Sequence, residues 1–113
     1  MTIQELGTIM QTKAPVKIVL LNNNYLGMVR QWQQMFFDKR YSFTELDNPD
    51  FVKIAEAYSI KAQKVTDRGD LKEAIEDMLI HDGPFFLEVV VEKEDNVFPM
   101  IATGCSVEEV RLS

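Results

Sequence analysis

One cysteine, one histidine and only five glycines leave this sequence short of the usual catalytic equipment. The lone thiol, Cys105, cannot form an internal disulfide framework and fits a reducing compartment. No CxxC pair, no HExxH helix and no glycine-rich phosphate loop is present, so no self-contained zinc, redox or nucleotide site can be read from the chain. No apolar run approaches the roughly 20 residues that a membrane-spanning helix needs, and no secretory signal pattern opens the sequence. Acidic residues outnumber basic ones, 18 against 12, and a net charge of -6 argues against a sequence-independent grip on nucleic-acid phosphates. What is present is an ordinary globular composition: 113 residues, 46% of them hydrophobic, the size of one compact domain.

The charge is unevenly spread. Residues 1–40 hold five basic groups and two acids, a local excess of +3, whereas residues 41–113 hold seven basic groups and sixteen acids. The acidic balance is a property of the C-terminal part alone.

Periodicity organises the chain. Ile3, Leu6 and Met10 make a helical stripe over residues 2–12, with Thr2 as its expected N-cap. The run Val16–Leu21 is short, apolar and partly β-branched, which predicts a buried strand. It stops at Asn22, Asn23 and Asn24, residues that tolerate turn conformations and bond their own backbone. Helical spacing returns from Leu26 to Phe37, with Val29, Trp32 and Phe36 on one side. After a polar, irregular stretch, Asn48-Pro49 predicts a helix start, and Phe51, Ile54, Ala55 and Tyr58 form one face of the helix it opens. Lys61–Val65 is expected to be a strand near a sheet edge. Asp70 and Glu73 form a capping-box-like pair ahead of Leu71, Ala74, Ile75, Met78 and Leu79. Gly83-Pro84 ends that helix, Phe85–Val91 reads as a strongly buried strand, and the tail from Glu92 is expected to be irregular with a turn near Val107–Val110.

Strands alternating with helices predict an α/β fold, a parallel sheet of about three strands flanked by helices. Such a sheet is small to stand alone. The pattern looks like the back half of a doubly wound domain.

The chemistry is concentrated in one segment. His81 sits in a helix C-terminal turn, where the helix dipole favours it without any catalytic role. Cys105 has no histidine near it in sequence and reads as an incidental or buried thiol. The asparagines, by contrast, lie where the strand from Val16 ends, and α/β sheets bind ligands beyond the carboxyl ends of their strands. Amide and carbonyl oxygens are hard donors suited to Mg²⁺. Asn23 could offer a side-chain oxygen and Tyr25 its backbone carbonyl, although three asparagines after a strand are commonly just a turn.

Asn22-Asn23 followed by Leu26-Gly27-Met28-Val29-Arg30-Gln31-Trp32-Gln33 resembles the end of the thiamine diphosphate-binding motif of acetolactate synthase (acetohydroxyacid synthase) catalytic subunits. The resemblance continues through Arg40-Tyr41-Ser42, Asn48-Pro49-Asp50-Phe51, Ala55-Glu56-Ala57-Tyr58 and Val65-Thr66-Asp67. It also takes in Gln4-Glu5-Leu6, Asp82-Gly83-Pro84 and Pro99-Met100-Ile101, and so covers essentially the whole chain.

That resemblance implies a partial diphosphate-binding domain over residues 1–113, equivalent to the C-terminal half of a thiamine diphosphate-binding domain. The family motif opens with Gly-Asp-Gly, whose aspartate is a magnesium ligand, and this stretch does not occur in the sequence. The chain is therefore expected to be a C-terminal fragment, inactive alone, without the FAD-binding and pyrimidine-binding domains. By the same resemblance Asn23 and Tyr25 are the Mg²⁺ ligands, and Met1, Asn23, Tyr25 and Met28 lie against thiamine diphosphate. Val29, Trp32 and Thr103 line the acceptor and herbicide pocket, Trp32 favouring 2-ketobutyrate. Without the resemblance Val29 and Trp32 would read as core packing on a helical stripe.

The implied reaction decarboxylates pyruvate and transfers the two-carbon unit to pyruvate or 2-ketobutyrate, early in branched-chain amino-acid synthesis. The cofactor provides the carbanion chemistry. The implied setting is a cytoplasmic homo-oligomer, or a plastid one in a plant, with a regulatory small subunit as partner and neither nucleic acid nor membrane. Two alternatives stay open: a fragment of another thiamine diphosphate-dependent carboligase or oxidase, and a non-catalytic, self-associating α/β module.

Overall fold

The structure is a computed structural model that describes residues 2–112. They fall into two compact units. The first comprises the described residues up to Asn23 together with Asp47–Val91, and the second comprises Asn24–Leu46 together with the residues from Glu92 onward.

The first unit is built on a parallel sheet of three strands, β1 (Lys17–Asn22), β2 (Lys61–Val65) and β3 (Phe85–Val90), in the order β1-β3-β2. The last strand in sequence is the middle one in space. That position explains its composition: Phe85-Phe86-Leu87 is buried on both faces, as a central strand of a parallel sheet must be. Lys17 and Lys61 flank Phe85, and Leu20 and Lys64 flank Glu88.

Alternation along β3 divides the core in two. Phe85 and Leu87 pack with Val65, Ala74 and Met78, the last two from helix α4 (Leu71–Ile80). Phe86 faces the other way, onto Leu6 of α1 (Glu5–Thr12) and Ala55 of α3 (Phe51–Ala57), with Ile60. Lys17 Nζ donates to the carbonyls of His81 and Gly83, both at 2.6 Å, and so closes the C-terminal end of α4. Gly83 has φ +119°, a left-handed conformation that a side chain would strain, and it turns the chain into β3. The strand expected to be buried at Val16–Leu21 is instead an edge strand, β1, on which Val19 and Leu21 remain substantially exposed because only one side of it is paired.

The second unit contains α2 (Gly27–Phe36) and a short antiparallel pair, β4 (Met100–Ile101) with β5 (Val110–Arg111). Tyr25 bridges Glu45 in antiparallel fashion, and Leu26 N–H donates to Thr44 O at 2.8 Å.

The expected elements are present, including β2 at a sheet edge, and their ends differ in instructive ways. Thr2 does not cap α1. Its N-cap is Gln4, and Thr2 instead accepts the Glu5 N–H through its carbonyl. The cap of α3 is Asp50, two residues beyond the expected Asn48, because Asp50 Oδ1 accepts the Lys53 N–H at 3.1 Å while Asn48 bonds Asn22. Asp70 makes no side-chain cap. Asp67 takes that role through the Gly69 N–H at 2.7 Å, opening a 3₁₀ turn over Arg68–Asp70 ahead of α4. The tail carries β4 and β5 where irregular chain is expected, since two-residue strands leave no periodic signal.

Asp50 is the titrating cap. The Lys53 N–H that it accepts, reinforced by the Lys53 ammonium 3.3 Å away, holds its carboxyl below the ordinary 3.8. Because the folded-state value is the depressed one, this contribution is present above about pH 3.8 and fades as the pH falls through the folded value. Asp50→Asn keeps a capping oxygen but cannot titrate. We expect wild type to have the higher melting temperature near neutrality, and the difference to close in acid. A difference that is the same at pH 7 and pH 3 would contradict the assignment.

Candidate functional site

The asparagine loop begins at the carboxyl end of β1, where the sheet topology directs ligands. Asn22 is buried, and its side chain works in both senses: Nδ2 donates to Glu88 Oε1 at 2.7 Å, and Oδ1 accepts from Asn48 Nδ2 at 3.0 Å. Glu88 is 2% exposed and lies 3.4 Å from Lys64 Nζ. Asn23 follows in a half-buried position at the end of the first unit.

In the second unit Tyr25 is held by both its backbone and its ring. The backbone bridges Glu45, and the ring faces two cations, with the Arg30 guanidinium carbon 5.5 Å and Lys93 Nζ 5.8 Å from its centroid. Asn24 just before it takes φ 58°, the left-handed conformation that asparagine tolerates. Met28, Val29 and Trp32 all come from α2, the first two each 51% exposed and Trp32 half-buried against Phe36 with ring centroids 5.1 Å apart. Exposed Thr103 lies in the turn that follows β4. Met1 lies outside the described residues.

The sequence pattern misidentifies the inner face of α2. The stripe Val29, Trp32, Phe36 suggests a core side, yet the buried residues of this helix are Arg30 and Gln31. Both have several partners. Arg30 donates to Lys93 O at 3.0 Å and to Tyr41 Oη at 3.3 Å, pairs with Glu94 at 3.2 Å, and lies 4.8 Å from the Tyr41 ring centroid. Gln31 clasps the backbone of Val97, accepting its N–H at 2.8 Å and donating to its carbonyl at 2.9 Å. Glu88 is a further residue that sequence reasoning passed over. Its signal was visible, a single carboxylate inside the apolar run Phe85–Val91.

Histidine and cysteine take no part. His81 is the C-cap of α4, its ring packed edge-on against Phe85 at 5.6 Å, and Cys105 is exposed. Among the described residues no three His, Cys, Asp or Glu side chains cluster as a metal site. The donors available at the asparagine loop are amide and carbonyl oxygens, a set suited to a hard cation.

Residues 1–89 match the family described as thiamine pyrophosphate enzyme, C-terminal TPP binding domain. The chain belongs to this family, and its three-stranded parallel sheet with flanking helices is the C-terminal portion of that domain. Two solved structures share the fold with a TM-score of 0.73. One is the thiamine diphosphate-dependent 4-hydroxybenzoylformate decarboxylase of Rhodococcus jostii RHA1, 28% identical, over 83% of this chain and 18% of that one. The other is the benzoylformate decarboxylase of Polynucleobacter necessarius, 26% identical, over 86% of this chain and 18% of that one.

Sequence relatives are closer and of a different activity. The chain is 48% identical to the acetolactate synthase isozyme 2 large subunit of Escherichia coli (strain K12) over 111 residues, which is 97% of this chain and 20% of that protein. It is 43% identical to the mitochondrial acetolactate synthase catalytic subunit of Saccharomyces cerevisiae, over 96% of this chain and 16% of that protein. The chain thus spans about a fifth of the length of the curated relatives it matches.

Proposed function

We propose that this chain is the C-terminal part of an acetolactate synthase catalytic subunit, which decarboxylates pyruvate and joins the two-carbon unit to pyruvate or 2-ketobutyrate. The observation that carries this reading is the 48% identity extending over 97% of the chain. The decarboxylase reading is weaker, since its relatives reach only 28% and 26% identity.

The oxygen donors at the asparagine loop fit Mg²⁺. Asn23 would supply its side-chain oxygen and Tyr25 its backbone carbonyl, Met1 and Met28 would lie against thiamine diphosphate, and Val29, Trp32 and Thr103 would line the acceptor pocket. Thiamine diphosphate, when bound, supplies an electron sink for decarboxylation. The residues of this chain orient the metal and select the acceptor, Trp32 by the shape of its indole. FAD belongs to another part of the full-length enzyme. The working protein is a cytoplasmic homo-oligomer with a regulatory subunit as partner. The bacterial relative supports the cytoplasmic location. No helix among the described residues is long and apolar enough to cross a membrane.

A chimera tests the reading. This chain is put in place of the matching 111 residues of the Escherichia coli subunit. We expect acetolactate from pyruvate with thiamine diphosphate, Mg²⁺ and FAD, whereas the 113-residue chain alone gives none. In the chimera, Trp32→Ala is expected to lower the preference for 2-ketobutyrate over pyruvate as acceptor. A soluble chimera without carboligase activity, or robust turnover by the chain alone, would sink it.

A further inference from the structure

Glu88 is a buried charged group for which the proposed chemistry has no use. An ion pair is seldom retained inside a protein for packing, because apolar replacements of equal volume are commonly neutral or stabilising. Here the carboxylate ties three strands together at their carboxyl ends. It stands on β3, pairs with Lys64 of β2 at 3.4 Å, and accepts the Asn22 amide of β1 at 2.7 Å. Asn22 passes the connection to Asn48, in the segment leading to α3. Glu88 and Asn48 therefore hold one side chain between them, and that side chain belongs to the residue directly before Asn23.

We propose that Glu88 is a positioning residue: by fixing Asn22 it holds the end of β1 so that the Asn23 side-chain oxygen is presented to a divalent cation. The proposal rests on the reading of Asn23 as a metal ligand. Side chains that orient metal ligands from behind contribute strongly to affinity, and their loss typically weakens binding by about 10–100-fold. A neutral acceptor suffices for the Asn22 amide, so the essential property of Glu88 is its oxygen at that position. Its charge serves Lys64.

The test uses the ¹⁵N-labelled chain, with Mn²⁺ as a paramagnetic stand-in for Mg²⁺. In wild type, Mn²⁺ is expected to broaden the Asn23 resonances selectively. Glu88→Ala is expected to shift the Asn22 side-chain amide, to speed exchange of the Asn23 backbone amide, and to raise the Mn²⁺ needed for broadening about tenfold or more. Glu88→Gln is expected to restore most of the wild-type behaviour. Asn22→Ser, which leaves Glu88 in place, is expected to weaken the Mn²⁺ effect in the same way, and it keeps the proposal testable if Glu88→Ala does not fold. The Glu88→Ala, Asn22→Ser double variant should lose no more than Asn22→Ser alone, since that substitution already removes the Glu88 contact together with the one to Asn48. Wild-type broadening and exchange in Glu88→Ala, or additive losses in the double variant, would overturn the positioning role. Absence of a Mn²⁺ effect at Asn23 both in the wild-type chain and in the thiamine diphosphate-loaded chimera, which supplies the Gly-Asp-Gly aspartate, would overturn the metal reading. The Asn22 and Asn23 exchange measurements would then still decide whether Glu88 holds the strand end.

Discussion

Replacing Phe85 with alanine is expected to unfold the three-stranded unit or to leave it barely stable. Phe85 is completely buried at the start of the central strand, where it packs with Val65, Ala74, Met78 and Leu87. Both neighbouring strands pair beside it, Lys17 on one side and Lys61 on the other, so the cavity would open where the sheet has most to lose. Phe→Ala changes in cores cost about 3–5 kcal/mol. Small natural domains have about 5–15 kcal/mol in total, and exposed Val19 and Leu21 show that this sheet leaves apolar area uncovered. The urea midpoint, followed by far-ultraviolet circular dichroism, should fall by on the order of 2 M. Leu79→Ala is the control: Leu79 is 65% exposed on α4 and its loss should cost less than about 0.5 kcal/mol. Equal midpoints for Phe85→Ala and Leu79→Ala would refute this account of the core.

The second large effect belongs to the other unit. Arg30 is 3% exposed, and its guanidinium joins Tyr41 on the loop after α2 to Lys93 and Glu94 in the tail, with the Tyr25 and Tyr41 rings nearby. Arg30→Ala removes all of these at once. The partner carboxylate of Glu94 is 65% exposed and can be resolvated, so the cost falls below that of breaking a fully buried pair. Lost hydrogen bonds and cation–π contacts add to about 2–3 kcal/mol. Arg30→Lys should recover only part of it, because a single ammonium cannot reproduce the planar fork. The lone tryptophan, Trp32, stands on the same helix and reports on this unit directly. Its fluorescence should melt at lower temperature in Arg30→Ala, with Arg30→Lys between the two. An unchanged Trp32 transition would show that the contacts of Arg30 contribute nothing to stability.

Much of this was legible before any coordinates. The apolar run at Phe85–Val91 announces the buried strand, because a strand covered on both faces has no polar alternation to hide it; the similar run at Val16–Leu21 forms a strand too, but at a sheet edge with Val19 and Leu21 exposed. Gly83-Pro84 marks the turn into β3, since glycine alone enters the left-handed conformation there without strain. The caps were less legible. Asn48, Asp50, Asp67 and Asp70 are all suitable capping residues, and which of them bonds a backbone N–H depends on where the neighbouring strand places its partners. Asn48 is taken by Asn22, so Asp50 caps α3.

By itself the sequence determined the fold class, the order of the elements, the position of the asparagine loop after β1 and, by resemblance, the family. These depend on local periodicity and on residues close together in the chain. Tertiary structure alone decided that the last strand is the central one, that Arg30 and Gln31 form the buried side of α2, and that Glu88 reaches Asn22. Each of these joins residues far apart in the chain, as Lys61 is to Phe85, Arg30 to Lys93 and Asn22 to Glu88. A buried polar group is tolerated only where such a distant partner meets it. That pairing is a property of the folded chain, and no window of local sequence contains both halves.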